Sequence, residues 1–140
     1  MDAVIHALVG AVTAYSLGAD PTVGAAIAVA PDLPLGIKRK VTPARAYDVT
    51  HSGAFAIATS LAALAVLGSL YAHVILACLT SHIVLDLPTH GKIWAPPLLY
   101  PLSKKRFSFG EEWEWFNRSW WQGLYLSTAW CMIWIVFVAK

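Results

Sequence analysis

Apolar residues in this chain come in long blocks rather than one-sided stripes, and proline, glycine and basic residues separate the blocks. Residues 3–17 form the first, closed by Gly18-Ala19-Asp20-Pro21, a helix stop and turn. Residues 22–30 form the second and run into Pro31-Asp32-Leu33-Pro34. Both are shorter than the roughly 20 residues of a straight membrane span, so they read as a tilted or partly inserted hairpin. From Ser52 to Thr80 the only ionisable side chains are Tyr71, His73 and Cys78. That stretch is too long for one crossing and predicts two helices, 50–67 and 71–87, turning near Gly68-Ser69. Pro88, Pro96, Pro97 and Pro101 predict an irregular segment over 88–103, and a final apolar run over 120–139 is long enough to span. The pattern predicts an all-α fold: a polytopic transmembrane bundle of about five helices, two helical hairpins plus a C-terminal span.

Composition strengthens the membrane reading. Hydrophobic residues make up 58% and charged residues 13%, against about 25% charged in soluble domains. The seven tryptophans and five tyrosines suit headgroup-level positions. A net charge of +2 is too small to indicate a nucleic-acid partner. Cys78 and Cys131 lie in apolar runs and read as small hydrophobes.

Basic residues give the expected orientation. Lys38, Arg39, Lys40 and Arg45 precede the central hairpin, and Lys92, Lys104, Lys105 and Arg106 follow it. Both groups then lie on one side, cytoplasmic by the positive-inside rule, where they meet anionic lipid headgroups. The whole of 1–140 reads as one membrane domain. Within it, 1–108 carries the candidate site, and 109–140 supplies a headgroup-level segment around Glu111-Glu112-Trp113-Glu114-Trp115-Phe116 and the last span.

With that topology, His6, Asp32, His51, His82 and Asp86 all fall at the cytoplasmic end. His82 and Asp86 are four apart, hence on one helix face. An imidazole and a carboxylate in an apolar helix need a partner or an ion. Three histidines and two carboxylates match the donor set of zinc sites and two-metal hydrolytic sites. Each residue also has a plainer reading. His6 can be an interfacial histidine, Asp32 a turn residue, Asp48 or Ser52 a helix cap, and His90 a surface turn. Asp48 is otherwise a candidate to orient a histidine ring, with Thr50, Ser52, Ser81, Thr89 and His90 around the site. His73 belongs to the far end of the hairpin.

Several of these residues lie in a recognisable order: His6, Ala30-Pro31-Asp32, Val49-Thr50-His51-Ser52, Ser81-His82-Ile83-Val84-Leu85-Asp86, Pro88-Thr89-His90-Gly91, and Tyr100-Pro101-Leu102 before Arg106-Phe107. In this order they resemble the membrane-bound predicted metal-dependent hydrolases, a group also described as LexA-binding, inner-membrane-associated hydrolases. The resemblance covers roughly residues 1–108. Pro34 stands where that family often has a second acid. The family's His and Asp alternation is distantly similar to that of zinc-dependent phospholipase C, which implies a phosphoester substrate.

The expected function is an integral-membrane, metal-dependent hydrolase of an inner-membrane lipid or other amphiphilic phosphoester. One or two divalent ions, zinc by donor type, are held by His6, Asp32, His51, His82 and Asp86. Asp32 or Asp48 is the expected general base, and Arg45 a candidate contact for an anionic headgroup. The alternatives are a non-catalytic structural, transport or sensing metal site and a protein that docks a cytosolic partner through its basic loops.

Overall fold

In a computed structural model of the chain, residues 3–37, 45–109 and 119–138 are described. The basic residues 38–40 and the aromatic and acidic run 111–116 lie outside them. Among the described residues there are six α-helices and a 3-10 segment, and no strand: α1 Ala3–Ser16, α2 Pro21–Val29, the 3-10 segment Ala30–Ile37, α3 Arg45–Thr50, α4 Gly53–Leu67, α5 Ser69–Thr89 and α6 Ser119–Phe137. The helical expectation holds.

Turn chemistry makes the first hairpin. Gly18 takes a φ of 78°, which a side chain would resist. Asp20 then caps α2, accepting from the Thr22 backbone N–H at 2.7 Å, with Pro21 at the first helical position. The two helices touch backbone to backbone. A Cβ at Gly10 would strike the Gly24 carbonyl and the Ala28 side chain, and one at Gly24 would strike the Gly10 carbonyl and Ala14. The spacing Gly10-x-x-x-Ala14 against Gly24-x-x-x-Ala28 is the small-residue seam that lets apolar helices approach closely.

Pro31 and Pro34 lack N–H donors, and α2 tightens there into the 3-10 segment. The second hairpin turns at Gly68, φ 87°. Ser52 caps α4, its Oγ accepting from the Phe55 N–H at 3.2 Å.

Two details differ from the sequence expectation. Residues 45–50 form a separate helix, α3, so His51 lies in a break between α3 and α4 rather than at a helix start. Helix α5 also continues through Pro88 to Thr89, because a proline one residue from the end removes one backbone bond without stopping the last turn. The His90 N–H still reaches the Asp86 carbonyl at 3.0 Å.

Helix α5 packs against α1, α2, α4 and α6. Ile5, Val9, Leu85 and Cys131 form one core cluster, and Ala14, Ala28, Val74 and Cys78 another. Residues 90–109 run as a strap across one end of the helices. Phe109 N–H bonds the Leu87 carbonyl at 3.0 Å, Phe107 N–H the Pro96 carbonyl at 3.2 Å, and Gly53 N–H the Leu98 carbonyl at 3.0 Å.

By length and composition one described helix, α5, can cross a bilayer unaided; α1, α4 and the apolar part of α6 are shorter apolar helices. Large apolar side chains face outward on α4 (Ile57, Leu61, Leu64) and α6 (Ile133, Ile135, Val136). Such a surface suits contact with lipid.

Candidate metal centre

Because each hairpin returns, four chain segments deliver polar side chains to the same end. His6 comes from the second turn of α1, Asp32 from the 3-10 segment after α2, His51 from the break before α4, and His82 and Asp86 from the last turns of α5. His6, His51, His82 and Asp86 are buried, and the Asp32 side chain is 15% exposed.

The rings point their Nε2 atoms at one another and at the carboxylates. His82 Nε2 lies 3.0 Å from His51 Nε2 and 3.2 Å from Asp86 Oδ2. His6 Nε2 lies 3.1 Å from Asp86 Oδ1 and 4.0 Å from Asp32 Oδ2. His51 Nε2 lies 3.4 Å from Asp32 Oδ1 and 3.6 Å from Asp86 Oδ2. The His6 and His82 rings stack with centroids 3.7 Å apart.

Backbone carbonyls decide the tautomers of two rings. His82 Nδ1 lies 2.7 Å from the Ala28 carbonyl and His51 Nδ1 lies 3.1 Å from the Tyr47 carbonyl. A carbonyl only accepts, so both Nδ1 atoms carry a proton and donate it. In a neutral ring the Nε2 atom then holds a lone pair. Burial pushes the His51 pKa below its ordinary value, with the hydrogen bond to Asp32 opposing, so that ring is neutral near pH 7. The His51 Nε2 lone pair therefore faces His82 Nε2 at 3.0 Å, beside two carboxylates. Such a concentration of electron pairs away from water calls for a cation.

The spacing fits a metal. Ligands about 2.0–2.2 Å from a tetrahedral ion stand roughly 3.3–3.6 Å apart, and the distances here run from 3.0 to 4.0 Å. Two overlapping groups can hold an ion, His6 with His82 and Asp86, and Asp32 with His51 and His82. All five expected ligand residues belong to one or both.

The surrounding candidates separate. His90 joins the cluster, its Nε2 3.0 Å from Asp86 Oδ1. Thr50 Oγ1 donates to the Pro31 carbonyl at 3.0 Å and lies 3.0 Å from His51 Nδ1, tying α3 to the segment that carries Asp32. Ser81 instead accepts from the Trp130 indole at 2.8 Å, Thr89 bonds the Leu85 carbonyl of its own helix, and Ser52 caps α4. Arg45 is exposed at the start of α3.

Asp48 requires a correction. It does not orient a histidine, because the Arg106 guanidinium takes its carboxylate at 2.5 Å. Arg106, read from sequence as a topology marker, is instead a structural cation. Tyr47 was the other residue overlooked. It is fully buried and stacks on His51 with centroids 3.8 Å apart. Its position four before His51 was the available signal.

The class defined so far is an all-helical protein with a buried histidine and aspartate centre at one end. The model of the YdjM inner membrane protein family matches residues 1–139, and the chain belongs to that family. It is therefore a membrane protein. Neither a curated relative nor a solved structure matches the chain.

Proposed function

We propose that this protein is a polytopic inner-membrane hydrolase of phosphoesters that depends on a divalent metal, most simply zinc. The observation that carries the reading is the convergence of three Nε2 atoms and two carboxylates, with two ring tautomers fixed by main-chain carbonyls. His82 would hold the ion together with ligands drawn from His6, Asp86, His51 and Asp32. His82 offers a single free nitrogen and belongs to both candidate groups, which favours one ion over two. Bound there, zinc supplies Lewis acidity toward a phosphoryl oxygen and lowers the pKa of water toward about 7. Asp32 is the more exposed carboxylate, which supports the reading that, where it is not itself bound to the ion, it would take a proton from the attacking water. Asp48, held by Arg106, has no part in that transfer.

The substrate class follows from the setting. Helices of 14 and 15 residues, α1 and α4, rise about 21–23 Å at 1.5 Å per residue, less than the roughly 30 Å hydrocarbon core. Their polar end thus lies near headgroup depth, and the positive-inside rule, applied to Arg45, Lys92, Lys104, Lys105 and Arg106, supports a cytoplasmic side for that end. An amphiphile would meet the centre with its phosphoester while its chains stay among apolar side chains.

A second reading, a structural metal site, draws on the burial of the centre: the side chains of His6, His51, His82 and Asp86 are 0% exposed. Metal content of detergent-purified wild type and Asp86→Asn, with turnover of phospholipids and bis-p-nitrophenyl phosphate, separates the two. The hydrolase reading expects retained zinc and turnover in wild type, and loss of both in Asp86→Asn. Zinc without turnover on any substrate leaves the structural site, and wild type that holds no metal would falsify both.

A further inference from the structure

His51 differs from the other two histidines in how it is held. His6 and His82 are carried within α1 and α5, whereas His51 sits in the break between α3 and α4. Its orientation therefore depends on what packs against it. Beside Thr50 Oγ1 and the edge-on His82 ring, Tyr47 supplies two contacts: the face of its ring, 21° from parallel, and its carbonyl, which accepts from His51 Nδ1.

Tyr47 is itself fastened to the strap. Its hydroxyl donates to the Trp94 carbonyl, and its ring meets the Trp94 ring edge-on, centroids 5.4 Å apart. Arg106 closes the arrangement from the other side. One guanidinium nitrogen binds Asp48, next to Tyr47 in α3, and the other donates to the Ala95 carbonyl at 3.0 Å, next to Trp94 in the strap. The guanidinium carbon lies 5.9 Å from the centre of the Tyr47 ring. A fork with fixed geometry can bridge two acceptors in this way; a lysine ammonium cannot do so equally.

We propose that Arg106 is a positioning residue for the metal centre, acting through Asp48 and Tyr47 to hold His51 Nε2 toward the ion. This rests on the metal site proposed above. The hydrogen bonds of Arg106 go to Asp48 and the Ala95 carbonyl. Its effect on the centre passes through α3, and that route gives it a distinguishing signature.

The test is zinc affinity by chelator competition on detergent-purified protein, in a double-mutant cycle of Arg106→Gln with His51→Ala. Groups that orient a metal ligand typically change affinity about 10- to 100-fold. Arg106→Gln is expected to weaken zinc by that factor in the wild-type background. In the His51→Ala background it is expected to cost no more than about twofold, since the ligand through which it acts is gone. Equal losses in both backgrounds would show a general structural role and overturn the proposal, as would unchanged affinity in the single variant. If Arg106→Gln does not fold, Asp48→Ala takes its place under the same criteria, removing the acceptor through which Arg106 grips α3. Wild type without zinc affinity removes the parent reading and this one together, whereas wild type that binds zinc with an additive cycle removes this one alone.

Discussion

Helix α5 carries two histidines whose circumstances share little beyond residue type. His73 is exposed, and its Nδ1 turns back to the Ser69 carbonyl of the same helix at 2.7 Å. His82 is 1% exposed, and its Nδ1 reaches a carbonyl on α2. His73 lines a mostly apolar groove with Leu17, Leu76 and Trp134. Around His82 the neighbours are His6, His51, Asp32 and Asp86. The helix gives both residues the same local chemistry, and the difference comes from which other segments arrive. A polar residue in an apolar helix becomes a site only where the fold brings it partners.

The contrast is open to direct attack. The largest effect belongs to His82→Ala, which removes a donor common to both candidate ligand groups. Zinc retention measured by elemental analysis is expected to vanish, while the same substitution at His73 leaves it intact. Retained zinc in His82→Ala would put the centre elsewhere.

An intermediate effect is expected where the site depends on helix packing rather than on donors. Gly10→Val forces side-chain atoms into the Gly24 carbonyl, and overpacking of this kind costs about 1–3 kcal/mol, occasionally more. Thermal unfolding in detergent should fall by a corresponding amount. Zinc affinity should weaken too, because α1 and α2 carry His6 and the approach to Asp32. A neutral Gly10→Val would mean that the two helices separate without disturbing the centre.

The smallest effect is expected at the far end. His73→Ala removes an exposed ring that, among the described residues, bonds its own helix, and such changes stay within about 0.5 kcal/mol. A melting temperature that drops by several degrees would show that the far end bears more of the fold than its contacts indicate.

Much of this arrangement was legible in the sequence. The helix limits followed from apolar blocks broken by Gly18, Pro21 and Gly68, because those residues act through local backbone geometry. The gathering of His6, Asp32, His51, His82 and Asp86 at one end followed from counting returns of the chain. What was not legible depends on contacts between distant segments. Asp48 and Arg106 are 58 positions apart, and neither residue carries a local sign of the other. Arg106 looked like its neighbours Lys104 and Lys105, both exposed. Helix α3 was hidden because six residues are too few to show a period.

The carbonyls of Ala28 and Tyr47 fix the protons on His82 and His51. Every amino acid brings the same carbonyl, so chemical identity at position 28 matters to this bond only if it moves the backbone. A saturation scan would therefore report the rings and carboxylates as intolerant while passing over the anchor on α2 altogether. Replacing the peptide bond after Ala28 with an ester, which weakens its carbonyl as an acceptor and changes no side chain, is the kind of alteration that would reveal it.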